Sequence, residues 1–291
     1  MQSRGKGSAG LSQDTAFGWP HDFLGNHFIY AAISQRARGL AIGVNLNPER
    51  YCNFDCVYCE VQRGKPLEER PVDVNVLSAE LTRMLDLASD DRLREWPRFR
   101  KIPPELLQLK EVALSGDGEP TLCPNFDQAV ETVLRVRSQR PKFFKIVLMS
   151  NTTGLFLPAV ERGWRQLTLE DELWLKLEAG TQKYMERINR PARATLKNVM
   201  ANILQVGRDR PVVIQSLFSL LDGAEPPPEE IDGYVHRLQE LLAGGAQISL
   251  VQVYSAHRPA QMANCRHLPL GSLSLIARQI REKTGLAVEV F

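Results

Sequence analysis

The sequence has 291 residues, of which 43% are hydrophobic, enough for a sizeable buried core in one large α/β domain or two small ones. Lysine and arginine total 36 against 34 for aspartate and glutamate, so the net charge of +2 permits nucleic acid but requires no polyanionic partner. No run approaches the roughly eighteen consecutive apolar residues that span a bilayer, which argues against a membrane protein.

The predicted elements begin after a polar segment. Residues 1–20 include a glycine- and serine-rich stretch with no apolar core of the kind that a secretory signal needs, and we predict a flexible tail there. Residues 21–291 are predicted to form a single domain. Its first two apolar runs, 27–34 and 40–47, are separated by a short polar stretch and predict a β-hairpin.

Helical patterns of apolar residues follow the hairpin and recur to the end of the chain. The predicted helices begin near Ser78, around Phe126, near Pro158, near Thr195, at Pro228 and at Ser274. Glycines are expected to end three of them, at Gly207, Gly244 and Gly285, because glycine is common just after the last turn of a helix.

Apolar runs of strand length alternate with these helices, as in βαβ units. The runs occupy residues 40–47, 111–116, 145–150, 172–178, 212–218 and 248–254, with a short last strand at 286–291. The first six predict an α/β fold: a partial (βα)6 TIM-like barrel of parallel strands with outer helices. In such folds ligands bind at the carboxyl ends of the strands, so the loops that follow the strands are where a site is expected.

Three cysteines follow the first barrel strand: Cys52, Cys56 and Cys59, spaced C-x3-C-x2-C. Cysteine thiolates ligate iron–sulfur clusters, and a [4Fe-4S] cubane held by three of them keeps one iron open. The alternative is zinc, but structural zinc takes four ligands and no second C-x2-C pair exists. Cys123 and Cys265 are predicted to be buried apolar residues. This is not the dense, even cysteine pattern of a secreted disulfide scaffold, so we expect a cytoplasmic protein.

The motif C-x3-C-x-aromatic-C, with Tyr58 before the last cysteine, resembles that of the radical S-adenosyl-L-methionine (SAM) superfamily. The resemblance implies that the amino and carboxylate groups of SAM chelate the open iron. One-electron reduction then releases a 5′-deoxyadenosyl radical that abstracts hydrogen from the substrate. The resemblance places Tyr58 against the adenine. It also implies a low-potential electron donor, a ferredoxin- or flavodoxin-like protein, as a partner.

A second resemblance lies after the second strand, where Gly116, Gly118 and Glu119 are similar to the Gly-Gly-Glu motif of the superfamily, with Asp117 in place of the first glycine. The motif implies binding of the amino group of SAM, because glycine allows close backbone approach and a carboxylate attracts a cation. The alternative is an ordinary glycine-rich turn.

Polar residues also end the third and fourth strands. Ser150 and Asn151 occupy the position at which members of the superfamily hold the ribose and the methionine carboxylate, although both are also common turn residues. Lys176 and Glu178 share one face of the fourth strand. Burying an unpaired charge costs several kcal/mol, so this pair is expected to contact the cofactor or to form a structural ion pair, and we favour the cofactor.

Candidate substrate-facing residues lie on and after the last barrel strand. Gln252 and Tyr254 share one face of it by the same period-two argument, and Arg258 follows shortly after. For Arg258 the alternative is a solvated loop residue.

Four segments, CNFDCVYCE, SGDGEPTL, INRP and VYSAHRP, occur in the order typical of the branch that includes the wyosine synthases, over roughly residues 20 to 291. Those synthases modify a guanosine of tRNA and carry a second cluster on cysteines upstream of the first motif, with a nearby lysine that engages pyruvate. Here no cysteine precedes Cys52, and Lys6 is the one earlier lysine. We therefore expect a one-cluster radical SAM enzyme, an oxidoreductase or transferase, that modifies RNA or activates a protein by making a glycyl radical. The alternative is a non-catalytic zinc- or RNA-binding module.

Overall fold

The structure is a computed structural model, and it describes Ala16 and residues 23–61, 69–256 and 260–291. The predicted tail, residues 1–20, lies outside the described residues except for Ala16, whose carbonyl oxygen accepts a 2.6 Å hydrogen bond from the backbone N–H of Ile33.

Strands and helices alternate along the described chain. The strands are β1 (Ile29–Ser34), β2 (Gly39–Val44), β3 (Leu109–Leu114), β4 (Lys145–Ser150), β5 (Glu172–Lys176), β6 (Val212–Leu217), β7 (Ser219–Leu221), β8 (Ile248–Tyr254), β9 (Cys265–His267) and β10 (Val288–Val290). The α-helices are α1 (Val74–Ser89), α2 (Pro97–Arg100), α3 (Phe126–Ser138), α4 (Pro158–Trp164), α5 (Gln182–Ile188), α6 (Leu196–Asp209), α7 (Pro228–Ala243) and α8 (Leu270–Thr284).

One curled sheet of eight strands carries the fold, in the order β1-β2-β3-β4-β5-β6-β8-β10. The first two strands pair antiparallel, which confirms the predicted hairpin. All the other neighbours pair parallel, with helices between consecutive strands. This confirms the partial barrel of six βα units, to which β10 adds a further parallel strand. Strands β7 and β9 form a separate two-stranded ribbon.

The two faces of the sheet carry different side chains, because successive residues of a strand point to opposite faces. Leu173 and Leu175 belong to a large core that also contains helix residues such as Ile203. Trp174 points the other way and packs with Val147, Val213 and a few other apolar side chains inside the barrel. The cross-strand register then places Lys176 beside Gln215, and Gln215 beside Gln252, on this inner face.

The first helix begins earlier than its apolar pattern predicts. It starts at Val74 rather than near Ser78, because the Asp73 carboxylate accepts hydrogen bonds from the N–H groups of Asn75 and Val76 and so caps the first turn. The last helix likewise starts at Leu270, four residues before Ser274.

The ends of the later helices follow the predictions with one exception. A capping box between Thr195 and Asn198 opens α6 where predicted. That helix continues through Gly207 to Asp209, so Gly207 is not a terminal cap. A Cβ atom on Gly207 would lie 2.8 Å from the Cβ of Ala246, so close packing requires the glycine. Within the described ranges, no helix combines the length and the apolar character needed to cross a membrane.

Candidate functional site

A cavity of about 500 Å³ lies inside the curve of the sheet. Its lining begins at the cysteine loop and at the segments that follow β3 and β4. It continues along the inner faces of β5 and β6 and reaches Glu111, near the start of β3. The cavity therefore connects the carboxyl ends of the strands, where chemistry was predicted, with the opposite end of the barrel.

All three cysteines of the motif border this cavity. Cys56 is buried and Cys52 and Cys59 are half-buried, and all three are free thiols. Burial raises the pKa of the Cys56 thiol to about 12, and the positive charge of Lys176 opposes that rise. N–H donors approach two of the sulfurs: the Phe54 backbone N–H lies 3.5 Å from the Cys52 Sγ, and the Asn189 amide lies 3.6 Å from the Cys56 Sγ.

The loop that carries the cysteines is held by the segment after α5. The Val57 N–H donates to the Ile188 carbonyl at 2.9 Å, the Asp55 N–H to that of Asn189 at 3.2 Å, and the Ala192 N–H to that of Asn53 at 2.9 Å. The INRP segment, which the sequence supplied only as a point of resemblance, thus acts as a clamp on the cysteine loop.

The donor set of this loop is suited to an iron–sulfur cluster. Among the described residues, no three His, Cys, Asp or Glu side chains are arranged to hold a single metal ion. The fit therefore rests on three thiols from one loop, next to one cavity, with N–H groups directed at two of them. Each thiolate of a cubane binds a different iron, so such ligands need not meet at one point.

The glycine-rich turn after β3 packs directly against the segment that leads to the cysteines. A Cβ on Gly116 would lie 2.4 Å from the Asn45 Oδ1, and one on Gly118 would lie 2.1 Å from the Tyr51 carbonyl oxygen. Asp117, the residue in place of the usual first glycine, accepts a 2.8 Å hydrogen bond from the Asn45 amide. Asp117 therefore supports the turn, and the glycines are required by contacts within the protein itself.

Glu119 joins the ends of β3 and β4. Its buried carboxylate accepts hydrogen bonds from the Ser150 hydroxyl at 2.7 Å, the Asn151 N–H at 2.8 Å and the Thr121 hydroxyl at 2.6 Å. The Asn151 amide in turn donates to the Asn53 Oδ1 in the cysteine loop at 2.8 Å. The structure thus brings together the polar residues predicted at these two strand ends. Direct contact between these residues and SAM stays a prediction.

Lys176 and Glu178 form an ion pair, with 3.8 Å between the Lys176 Nζ and the Glu178 Oε1. Glu178 is buried, and its Oε2 atom accepts hydrogen bonds from the Tyr58 hydroxyl and the Asn189 amide. Burial opposes the charged form of Lys176, but the Glu178 carboxylate holds the pKa of this amine above its usual value. The structural ion pair that was the alternative to cofactor contact is therefore formed. Lys176 also borders the cavity, with its amine 5.1 Å from the ring centroid of Tyr58.

Gln252 and Tyr254 both face the inside of the barrel. The Gln252 Oε1 accepts a 3.1 Å hydrogen bond from the Gln215 amide, and the ring of Tyr254 lines the cavity beneath the guanidinium of Arg36. Arg258 lies outside the described residues.

Sequence reasoning missed four residues of the site. Gln215 and Glu111 are polar residues in otherwise apolar strands, and the alternation argument that singled out Lys176 would also have found them. Asn189 lies in the INRP segment, which was noted only as a point of resemblance, and Arg36 lies in a turn with no comparable signal. Glu111, Gln215 and Arg36 border the cavity, and the Asn189 amide approaches the Cys56 Sγ.

No protein-family model matches the chain. Among curated proteins, a UPF0026 protein of Helicobacter pylori (strain J99) is 24% identical over 181 residues, which are 60% of this chain and 50% of that protein. A UPF0026 protein of Synechocystis sp. is 25% identical over 177 residues, 60% of this chain and 57% of that protein. The chain therefore spans about half the length of the curated relatives it matches.

Two solved structures are similar to the chain over most of its length. Streptococcus suis SuiB bound to S-adenosylmethionine aligns with a TM-score of 0.58 and 13% identity, over 88% of this chain and 52% of SuiB. TYW1 with a lysine–pyruvate adduct aligns with a TM-score of 0.52 and 15% identity, over 90% of this chain and 85% of TYW1. The chain has the fold of these two proteins, which is the partial barrel expected from the sequence.

Proposed function

We propose that this chain is a radical SAM enzyme in which Cys52, Cys56 and Cys59 hold a [4Fe-4S] cluster and SAM binds beside it. The observation that carries the proposal is the meeting of three thiols, the glycine-rich turn and the polar end of β4 around one cavity. When bound, the two cofactors supply a 5′-deoxyadenosyl radical that removes a hydrogen atom from the substrate.

The residues around the cluster loop bind and orient. Glu119 fixes the two strand ends against each other, and Asn151 ties them to the cysteine loop. The hydroxyl of Tyr58 is anchored on Glu178, which orients the ring along the cavity wall, where we place the adenine. The amine of Lys176 supplies positive charge to the same wall.

The proposal includes a low-potential electron donor, ferredoxin- or flavodoxin-like. Cluster potentials span roughly −700 to +450 mV, and reductive cleavage of SAM needs the low end of that range. Free thiols that bind iron must also stay reduced, so we place the protein in a reducing compartment such as the cytoplasm. RNA and a partner protein are the two macromolecular substrates that the sequence suggests, and salt-sensitive tRNA binding would favour the first.

The test is anaerobic reconstitution with iron and sulfide, followed by dithionite and SAM, with chromatography for 5′-deoxyadenosine. We expect product from the wild type, none from Cys56→Ala, and unchanged product from Cys265→Ala, since Cys265 lies on β9 and is not part of the cysteine motif. A colourless protein that holds zinc after anaerobic purification would instead support the non-catalytic zinc- or RNA-binding module.

A further inference from the structure

The floor of the cavity, at the end away from the cysteines, holds a carboxylate with unmet hydrogen-bonding capacity. Glu111 is 0% exposed, borders the cavity, and neither of its carboxylate oxygens has a hydrogen-bond partner among the described residues. Buried polar atoms are rarely left in this state, because each lost hydrogen bond is costly. Lys145 does not supply the bond: its amine is 3.9 Å from Glu111 and 2.9 Å from Glu172.

A cation with free donors lies in the same cavity. Arg36, from the turn between β1 and β2, places its guanidinium 4.8 Å from the ring centroid of Tyr254 and 5.6 Å from that of Trp174. Within the part of the chain that the structure describes, its N–H groups make no hydrogen bond, and no ion pair joins it to Glu111. The aromatic rings hold the cation in place and leave its donors available.

There is room beside these two groups. The neighbouring wall of the cavity includes the small residues Ala32, Ala41 and Ala113, while the ring of Tyr30 packs over Gly43. When Glu111 is ionised, the charges of the floor also balance, with Arg36 and Lys145 against Glu111 and Glu172. A ligand with a net charge would disturb that balance. A ligand that carries both an ammonium and a carboxylate would preserve it and would give hydrogen-bond partners to Glu111 and Arg36.

We propose that the floor of the cavity binds the zwitterionic headgroup of an α-amino acid. Glu111 accepts hydrogen bonds from the ammonium group, and Arg36 donates to the carboxylate. This deepens the proposed function and rests on it, since the amino acid is then the substrate of the radical reaction. Because the cavity runs from Glu111 to the cysteines, the side chain extends toward the cluster end and is the part that reacts.

The test measures thermal unfolding of the reconstituted protein, with SAM present, against each of the twenty L-amino acids in turn. We expect at least one to raise the melting temperature of the wild type, and its N-acetyl and carboxamide derivatives to have no effect. Glu111→Gln and Arg36→Met should each weaken binding by about tenfold or more, as expected for loss of a charged hydrogen bond. Arg38→Met is the matched control in the same turn, since the exposed Arg38 pairs with Glu289 on the surface, and it should bind as the wild type does.

Two results would overturn the proposal. In the first, no amino acid stabilises the wild type, as expected if the substrate is an RNA base or a protein loop. In the second, an amino acid raises the melting temperature of Glu111→Gln and of Arg36→Met as much as that of the wild type. If either variant loses its native circular dichroism spectrum, Glu111→Asp and Arg36→Lys replace it in the comparison. Formation of 5′-deoxyadenosine without any amino acid effect would reject the floor site and keep the proposed function. Stabilisation by an amino acid without formation of 5′-deoxyadenosine from a loaded cluster would keep the floor site and reject the proposed function.

Discussion

Burial raises the pKa of Glu111 to about 7 from its usual 4.5, while Lys145 and Arg36 lower it and Glu172 raises it further. The folded protein therefore binds this proton more tightly than the unfolded chain does. The stability that it contributes is complete below pH 4.5 and is lost as the pH rises to about 7.

We therefore expect Glu111→Gln to gain stability relative to the wild type as the pH rises through that window, by about 3 kcal/mol at most. Urea unfolding of both proteins at about pH 4 and about pH 8 measures the difference, on either side of the window. Parallel stability curves for the two proteins would show that Glu111 has the same pKa in the folded and unfolded states.

Glu111 also shows why only part of the site could be predicted from the sequence. A charge in a buried strand is visible as a break in alternation, and Lys176 and Glu178 were found in that way. Whether such a charge is paired depends on residues far away in the chain. Glu178 meets Tyr58, which is 120 positions earlier, whereas Glu111 meets no donor at hydrogen-bond distance within the described residues.

At the scale of elements, the segment after α5 illustrates how backbone contacts position the cysteine loop. The side chain of Asn189 in this segment donates to Cys56, Tyr58 and Glu178. Replacement by leucine keeps the branched shape of the side chain but removes these donors, and it leaves the buried Glu178 carboxylate with fewer partners.

We expect Asn189→Leu to lower the free energy of unfolding by about 1–3 kcal/mol and to reduce the iron bound per chain after reconstitution. Urea unfolding and iron analysis measure the two effects. Asn75→Ala, an exposed substitution on α1, is the matched control and should change stability by less than about 0.5 kcal/mol. Equal iron content in all three proteins would show that the clamp does not depend on the Asn189 side chain.

Helix boundaries show a similar division between local and distant causes. The start of α6 at its Thr195 cap is a local effect, and the sequence predicted it. The continuation of that helix past Gly207 depends on Ala246, which approaches from the loop before β8. A glycine that ends a helix and a glycine required by a packed neighbour look the same in the sequence.

For the whole molecule, cluster binding and folding should be linked. A group that binds the folded chain and not the unfolded one stabilises it by mass action. We expect reconstitution with iron and sulfide to raise the melting temperature of the wild type by several degrees, because the cluster ties the cysteine loop to the barrel.

Anaerobic differential scanning calorimetry before and after reconstitution measures this shift. Cys59→Ala should lose most of it, whereas Cys123→Ala, which changes a buried cysteine at the end of the turn after β3, should keep it. An equal shift in Cys59→Ala would mean that Cys59 is not a ligand.

The sequence by itself determined the cysteine motif, the order of the six βα units and the side-chain parity of each strand, because each depends on residues that are neighbours in the chain. Only the tertiary structure decided which polar residues share the cavity. Arg36 comes from the turn after β1 and Glu111 from β3. Both border the cavity, and Arg36 meets the rings of Trp174 and Tyr254, only because the sheet curls and brings its strands around one space. Contacts between side chains on distant strands are properties of the packed whole, so local periodicity does not specify which of them meet.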